Sequence, residues 1–570
     1  MTTIPSFDPL AQHYSSHRFP IYANRAMVNC STPQASSAGL QVLLKGGNAF
    51  DAAVAAAATL TVVEPTSNGI GSDAFCIAWS ARENRLVGLN SSGSAPQAIS
   101  IDRVIADGND DHGHMPKLGW TPITVPGAPA AWASINKRFG RLSLADDLAP
   151  AVDYARNGYA VNANLARFWQ LSANVYRAAN NDGRFDEWFR VFTHNNLTPS
   201  AGDIITLPDH ANTLQEIGET HARSFYEGDL ARAIDAASRA AGGYLRYDDL
   251  AAFQPRWVEP MRLDYRGWQV CEIPPNGQGI VALMALNILR NFDFASGPAG
   301  RDNARTAHLQ IEAVKLAFAD AFDTVTDPDD TSFDYAQYLT PEYGEQRARL
   351  IGDTAQVRTT RTPSSSGTVY LCCADGEGNM VSYIQSNYMG FGSGIVVPGT
   401  GIALQNRGAD FSLDPSRANA LKPGKRTYHT IIPGFLMKDG QPVGPFGVMG
   451  AYMQPQGHVQ VAMNAIDFGL DPQQALDAPR WRWDRSNTVR VETSFDESIA
   501  RELARRGHDV TVSLEAADFG RGQMIMRLDR GALSSAFSES TEAVTLAHTI
   551  AGPSYVGGTE SRTDSNIACW

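Results

Sequence analysis

The sequence predicts an α/β sandwich, and three stretches of it carry the prediction. The first is an alanine-rich helical pattern from Ala35 to Val63, broken at Gly46-Gly47-Asn48. A glycine-rich turn, Glu64 to Asp73, then leads into an apolar run, Ala74-Phe75-Cys76-Ile77-Ala78-Trp79, that reads as a buried strand. The second is a long middle region, about Leu118 to Ala355, with helical periodicity over Gly127–Phe139, Leu144–Gly158, Asn164–Ala178 and Ala304–Thr324. Polar breaks such as Asp327-Pro328-Asp329-Asp330 separate its helices. The third begins at Arg358. A polar run, Arg358 to Gly367, is rich in turn formers and predicts an exposed, mobile loop. Two β-favouring runs follow, Thr368 to Ala374 and Met380 to Gln385, around the turn Asp375-Gly376-Glu377-Gly378-Asn379; they predict a hairpin buried on both faces. Short strands and glycine turns continue to about Met449, and a helix is expected over Pro455–Phe468.

Composition removes several function classes. The chain has 570 residues, 43% hydrophobic and 19% charged, ordinary for a globular enzyme with a large core. A formal net charge of -13 argues against nucleic acid as a partner. The first residues show no apolar stretch behind a basic start, and Ala52–Val63 is too short to span a bilayer. Cytoplasmic residence without a membrane partner is the expectation. The six cysteines lack CxxC spacing, so neither a disulfide scaffold nor a zinc site is expected, and buried, inert thiols are. Cys372 and Cys373, adjacent on one strand, should point to opposite faces.

Familiar catalytic motifs are missing. No GxSxG or HExxH occurs, and Gly390-Phe391-Gly392-Ser393-Gly394 lacks the Lys-Ser/Thr ending of a phosphate loop. His112 and His114 beside Asp110 and Asp111 read as a solvated loop. Asp327–Asp334 lacks the glycine and terminal glutamate of a calcium loop. Neither a metal nor a cofactor is expected.

Thr368 stands where a different chemistry needs it. If the Gly367-Thr368 bond breaks, the threonine gains an α-amine whose reference pKa is about 7.7 to 8, low enough to act as base at neutral pH. That amine can take the hydroxyl proton, directly or through water, so no histidine or aspartate triad is required. The small Gly367 lets the hydroxyl approach the preceding carbonyl.

The surroundings of Thr368 resemble the γ-glutamyltransferase family of N-terminal-nucleophile hydrolases over most of the chain. The segments that carry the resemblance are, in order, Gly46–Ala55, Val63-Glu64-Pro65, Asn68–Phe75, and Thr368 with Tyr370, Asp375 and Gly378-Asn379. Gly392–Ile395, Gly401 to Ser412, Pro423–Arg426, Asn464–Gly469 and Ala478-Pro479-Arg480 follow. The resemblance implies a four-layer αββα sandwich and a proenzyme that cuts itself. A large segment, 1–367, and a small one, 368–570, would then stay associated, and a dimer of such αβ units is compatible with it. It implies acyl transfer from a small-molecule amide to Thr368. It places the oxyanion hole at Gly450 and Ala451, where an alanine keeps the needed N–H; losing one such donor typically costs about 10²–10³ in rate. Ser386 and Asn387 match residues that steady nucleophile and acyl group, and Asp410 matches the carboxylate that holds a substrate amino group.

Departures from the family fall on the substrate side. Ser92 stands where γ-glutamyl enzymes place an arginine for the α-carboxylate, and a serine cannot make that bidentate contact. His429-Thr430 replaces paired serines, and Met453–His458 also differs. The combination resembles the branch holding oxamate amidohydrolase and acylases, so Arg407 and His429 become candidates to grip a small anionic acyl group. The alternative for Arg407 is an ion pair with Asp410. A γ-glutamyl hydrolase and an uncut ligand-binding homologue, the latter prompted by Val369 where relatives carry a second threonine, are the competing functions. The segment 532–555 gives no reading.

Overall fold

The computed structural model describes residues 18–357, 367–528 and 553–570. Most of the Arg358–Gly367 run, and of 532–555, lies outside the described residues.

Two seven-stranded sheets, antiparallel throughout, pack face to face. The first runs Ile21–Ala23, Ser554–Thr559, Arg521–Leu528, Gln441–Met449, Gly434–Lys438, Trp268–Glu272, Met261–Tyr265. The second runs Asn566–Cys569, Ala26–Cys30, Val369–Asp375, Met380–Ser386, Asp73–Ser80, Arg85–Ser91, Arg256–Val258. Both therefore draw strands from either side of the Gly367-Thr368 bond. The core between them includes Phe75, Ile77, Tyr370, Cys372, Ile384, Phe435 and Ile525. One outer layer holds the helices Pro33–Leu44, Ala49–Val63 and Ala128–Phe139, and the other holds Gly279–Leu289, Ala304–Thr324 and Met453–Ile466. Helix, sheet, sheet, helix is the expected αββα order.

The alternation along Val369–Asp375 shows how the hairpin sits. Val369, Leu371 and Cys373 face the helices, while Tyr370, Cys372 and Ala374 face the opposing sheet. Cys372 and Cys373 do point to opposite faces; Cys569, unlike the other five, is exposed. Asn48 breaks the alanine-rich stretch by capping Ala49–Val63, its side chain accepting from the backbone of Phe50 and Asp51. The last expected helix starts two residues early, at Met453. The middle region also contains a hairpin that the helical reading passed over, Met261–Tyr265 with Trp268–Glu272. Of the segment 532–555, the described end begins the strand Ser554–Thr559. Among the described residues no helix is long and apolar enough to cross a membrane.

Candidate active site

The hairpin register pairs Val369 with Gln385, which brings Thr368, one residue earlier, beside Ser386. Thr368 is fully buried. Its hydroxyl lies 2.8 Å from the Gly367 carbonyl oxygen and 3.0 Å from Ser386 Oγ. Ser386 Oγ is 2.9 Å from that same carbonyl oxygen and accepts the Tyr388 N–H at 2.8 Å. Two hydroxyl protons cannot serve all three contacts among Thr368, Ser386 and the Gly367 carbonyl at once, and one arrangement leaves the Thr368–Gly367 contact without a proton. In it Ser386 accepts from Tyr388 and Thr368 and donates to Gly367, which polarises the scissile carbonyl and frees a Thr368 lone pair to face its carbon. Glycine at 367 is a steric need, because a Cβ there would sit 2.8 Å from Thr66 O and 2.9 Å from Ser67 Cα.

Asn387 lies next along the chain. Its Oδ1 accepts the Ser72 hydroxyl at 2.8 Å, which fixes the amide, and its buried Nδ2 has no partner among the described residues. Gly69 packs against that amide, where a Cβ would come within 2.9 Å of Nδ2. Tyr388 then links the nucleophile to a second cluster. Its hydroxyl donates to Asp410 Oδ1 at 2.8 Å, and its ring lies 4.1 Å beneath the Arg407 guanidinium. It holds this place with a φ of 75°, unusual for a bulky side chain.

Arg407 is fully buried. Its Nη1 donates to Thr430 Oγ1 at 2.7 Å and stands 3.7 Å from Asp410 Oδ2, while Nε and Nη2 have no partner among the described residues. Those two nitrogens form one edge of the guanidinium, the edge that takes a carboxylate with two parallel hydrogen bonds. Burial pulls the Arg407 pKa down and Asp410 pushes it back up. The expected Asp410 pairing is thus a long contact. Asp410 also accepts the hydroxyls of Tyr388 and Tyr452, the latter at 3.1 Å.

Two of the expected substrate contacts are spent inside the protein. His429 Nδ1 accepts the Ile431 N–H at 3.4 Å, so Nε2 carries the proton and donates to Asp73 Oδ2 at 3.0 Å. Burial, followed by the Arg407 charge, drives its pKa well below the ordinary range, keeping the ring neutral. His429 therefore supports Asp73 and offers nothing to an acyl group. Ser92 Oγ donates to Asn90 Oδ1 at 2.8 Å and accepts from Asn276 Nδ2 at 3.2 Å. It lines a separate cleft of about 800 Å³ with Arg246, Asp249 and Arg426, so the family's arginine position contributes no carboxylate grip here.

Asp73 is the residue that sequence reasoning missed. It pairs across the sheet with Ser386, and burial pushes its carboxyl up to about 7 although the Arg407 charge pulls it down. At the head of a strand it read as part of a glycine turn, and its partner His429 lies 356 residues away.

Gly450 and Ala451 follow the strand Gln441–Met449, just before the helix Met453–Ile466. Both have positive φ, 138° and 51°. This is left-handed backbone for Ala451, a strain that tends to persist where function requires it. Tyr452, the next residue, reaches Asp410 and ties the turn to the arginine cluster.

Outside this site, His308, Glu312 and His508 form the one group with metal-ligand composition among the described residues. Its donors are largely committed within the protein. His308 Nδ1 and His508 Nε2 bond each other at 2.8 Å, and the Lys315 ammonium lies 2.6 Å from Glu312 Oε1. His112 and His114 are exposed.

The chain is similar to known proteins over most of its length. The family model described as gamma-glutamyltranspeptidase matches residues 35–547. The chain is 38% identical over 484 residues to the glutathione hydrolase-like YwrD proenzyme of Bacillus subtilis (strain 168), covering 84% of this chain and 90% of that protein. It is 32% identical to the oxamate amidohydrolase proenzyme of Klebsiella pneumoniae, covering 88% of this chain and 94% of that protein. The crystal structure of cephalosporin acylase from Bacillus halodurans superposes with a TM-score of 0.91 at 50% identity, covering 99% of each chain.

Proposed function

The chain belongs to the gamma-glutamyltranspeptidase family, and on that premise we propose that it hydrolyses the amide of a small carboxylate-bearing acid, of the oxamate kind, through an acyl-enzyme on Thr368. Self-processing comes first. Thr368 Oγ attacks the Gly367 carbonyl carbon, the C–N bond breaks, and an ester joins Gly367 to the threonine oxygen. Water cleaves that ester, leaving a Gly367 carboxylate and a Thr368 with free amine and hydroxyl. In turnover the amine takes the hydroxyl proton as Oγ adds to the substrate carbonyl, and the N–H groups of Gly450 and Ala451 receive the oxyanion. The departing ammonia or amine collects the proton, and water releases the acyl group. Segments 1–367 and 368–570 remain together because each sheet is built from both. Cytoplasmic residence stays part of this proposal.

The observation that carries the acyl-group assignment is the buried, unpaired Nε/Nη2 edge of Arg407. Relatives named as an oxamate amidohydrolase and a cephalosporin acylase support it. The γ-glutamyl reading is weakened by the commitment of Asp410 to two tyrosine hydroxyls and by a serine at position 92.

The test has two arms. Intact mass and N-terminal sequencing of fresh protein should give two fragments, the smaller beginning Thr368-Val369-Tyr370, and Thr368→Ala should stay one chain and be inert. Ammonia release from oxamate, succinamate and glutaramate should exceed that from acetamide and pentanamide, with γ-glutamyl-p-nitroanilide a poor substrate. A strong preference for the γ-glutamyl compound would overturn the acyl-group assignment and leave the nucleophile standing. A chain that stays whole and inert would remove both.

A further inference from the structure

Gln278 is fully buried at the entry to the helix Gly279–Leu289, and nothing in the chemistry above uses it. Its side chain nonetheless joins the two halves of the site. Nε2 donates to Thr430 O at 2.6 Å and to Ala451 O at 2.8 Å, and Oε1 accepts the Tyr428 hydroxyl at 3.1 Å. The backbone is locked to the same loop, Gln278 N donating to His429 O and His429 N to Asn276 O, each at 2.9 Å.

The two carbonyls it holds belong to different functions. Thr430 is the residue whose hydroxyl receives Arg407 Nη1, so fixing its carbonyl fixes the loop against which the guanidinium is placed. Ala451 is the left-handed residue of the oxyanion turn. Such a conformation persists only where its surroundings over-determine it, and a bond to its carbonyl opposes rotation of that residue. A primary carboxamide has two N–H groups on one nitrogen, in a rigid plane. With one on each carbonyl, the separation between the loops is set by a single atom.

We propose that Gln278 is a positioning residue that sets the spacing between the arginine gripping the acyl carboxylate and the turn receiving the oxyanion. This rests on the assignment of those two roles under the proposed function. Catalysis by positioning is steep in distance: a shift of about 1 Å can cost on the order of 10² in rate. A side chain that only stabilised the fold would change how much protein folds, leaving turnover and selectivity per processed molecule alone.

The experiment compares wild type, Gln278→Met, Tyr428→Phe and Arg407→Met. Substrate pairs are oxamate against acetamide and glutaramate against pentanamide. Rates are divided by the fraction of chains cut before Thr368, read by intact mass, so that unfolded or unprocessed protein is not counted. Gln278→Met, which keeps length and loses both donors, is expected to lower kcat on the better acid amide by about 30- to 100-fold. It should also narrow the preference for the acid over its uncharged analogue by about tenfold. Tyr428→Phe, which releases the far end of the amide, should move both readouts the same way by about three- to tenfold. Arg407→Met should narrow the preference.

Gln278→Met and Tyr428→Phe both staying within twofold of wild type in kcat and preference would overturn the inference while the functional reading stands. If Gln278→Met yields no processed protein, the Tyr428→Phe result decides alone. Wild type hydrolysing none of the amides, or Arg407→Met leaving the preference intact, would instead defeat the functional reading and this inference with it.

Discussion

The side chains of Arg407 and Arg562 are both withdrawn from water, yet the protein treats their charges in opposite ways. Arg562 uses all five of its N–H donors: Nε and Nη2 on the two oxygens of Glu492 at 2.5 and 2.7 Å, Nη1 on Glu560 at 2.6 Å, and the remaining two on the carbonyls of Leu476 and Ala478. Burial works against its charge, but Glu560 and Glu492 outweigh it and hold the pKa above the ordinary arginine value. Arg407 has one short partner, Thr430, and a long contact to Asp410, and burial carries its pKa downward. Removing a guanidinium from water is costly unless each donor finds an acceptor. Where the protein supplies every acceptor the arginine is part of the scaffold. Where it leaves one edge bare, as at Arg407, the proposed reading assigns the missing acceptor to a ligand.

That contrast breaks if the two residues respond alike to the same substitution. Arg562→Met leaves Glu492 with only the Arg480 backbone N–H and Glu560 with Arg480 and the Gly522 N–H, and breaking one partner out of a buried charge network typically costs about 3–5 kcal/mol. Urea unfolding should show that loss, with the rate per processed molecule little changed. A drop below about 1 kcal/mol would mean that the network is not scaffold. Arg407→Met, with the smaller effect, should act on the substrate. Hydrogen bonds to charged groups are worth about 1.5–3 kcal/mol, so kcat/KM on the acid amide should fall roughly 10- to 100-fold. Rates on the uncharged amide should move by less than threefold. Equal losses on both amides would show that Arg407 supports the nucleophile instead of reading the acyl group.

The same contrast explains what could be read without coordinates. Thr368 was legible from two signals together: a turn-rich run ending in glycine before an apolar β-favouring run, and the resemblance of the surrounding segments to a known family. Ser386 and Asn387 were legible only through that resemblance, and the hairpin register then places Ser386 beside Thr368. The fit between Arg407 and its surroundings was not legible, because its partners lie 3 and 23 residues away and its decisive feature is a missing bond. Asp73 and His429 share that difficulty, as does Gln278, whose two carbonyl partners lie 152 and 173 residues off. One fold element was missed for a lesser reason. Met261, Leu263 and Tyr265 alternate with charged residues, and Arg266-Gly267, both at positive φ, makes the tight turn of a hairpin. The signal was present in a region read as helical.

A third way of burying charge sharpens the comparison. Asp147 is fully buried beside Asp51, and among the described residues neither forms an ion pair, the nearby Arg141 pairing with Glu377. Asn136 Nδ2 donates to Asp147 Oδ2 at 2.9 Å, while Asp51 accepts the backbone N–H groups of Asn48 and Arg141. Burial first, and then the Asp51 charge, push the Asp147 carboxyl up to about 9. At neutral pH it therefore keeps its proton and can donate it to Asp51. The protein has solved this burial by neutralising one partner, with neither counter-charge nor ligand. The sign of the pH dependence follows. An unfolded aspartate titrates near 3.9, so between about pH 4 and 9 the native state holds the extra proton, and stability falls as pH rises through that window. Asp73, pushed up to about 7, adds the same sign over a narrower range, which is why the wild-type slope alone is not diagnostic. Asp147→Asn isolates the pair. The amide still accepts from Asn136 and donates to Asp51 but cannot ionise. The stability difference between the two proteins, read from urea unfolding, should grow in favour of the variant from pH 5 to pH 8.5. Parallel slopes would mean that Asp147 is ionised at neutral pH and that some group other than a shared proton compensates Asp51.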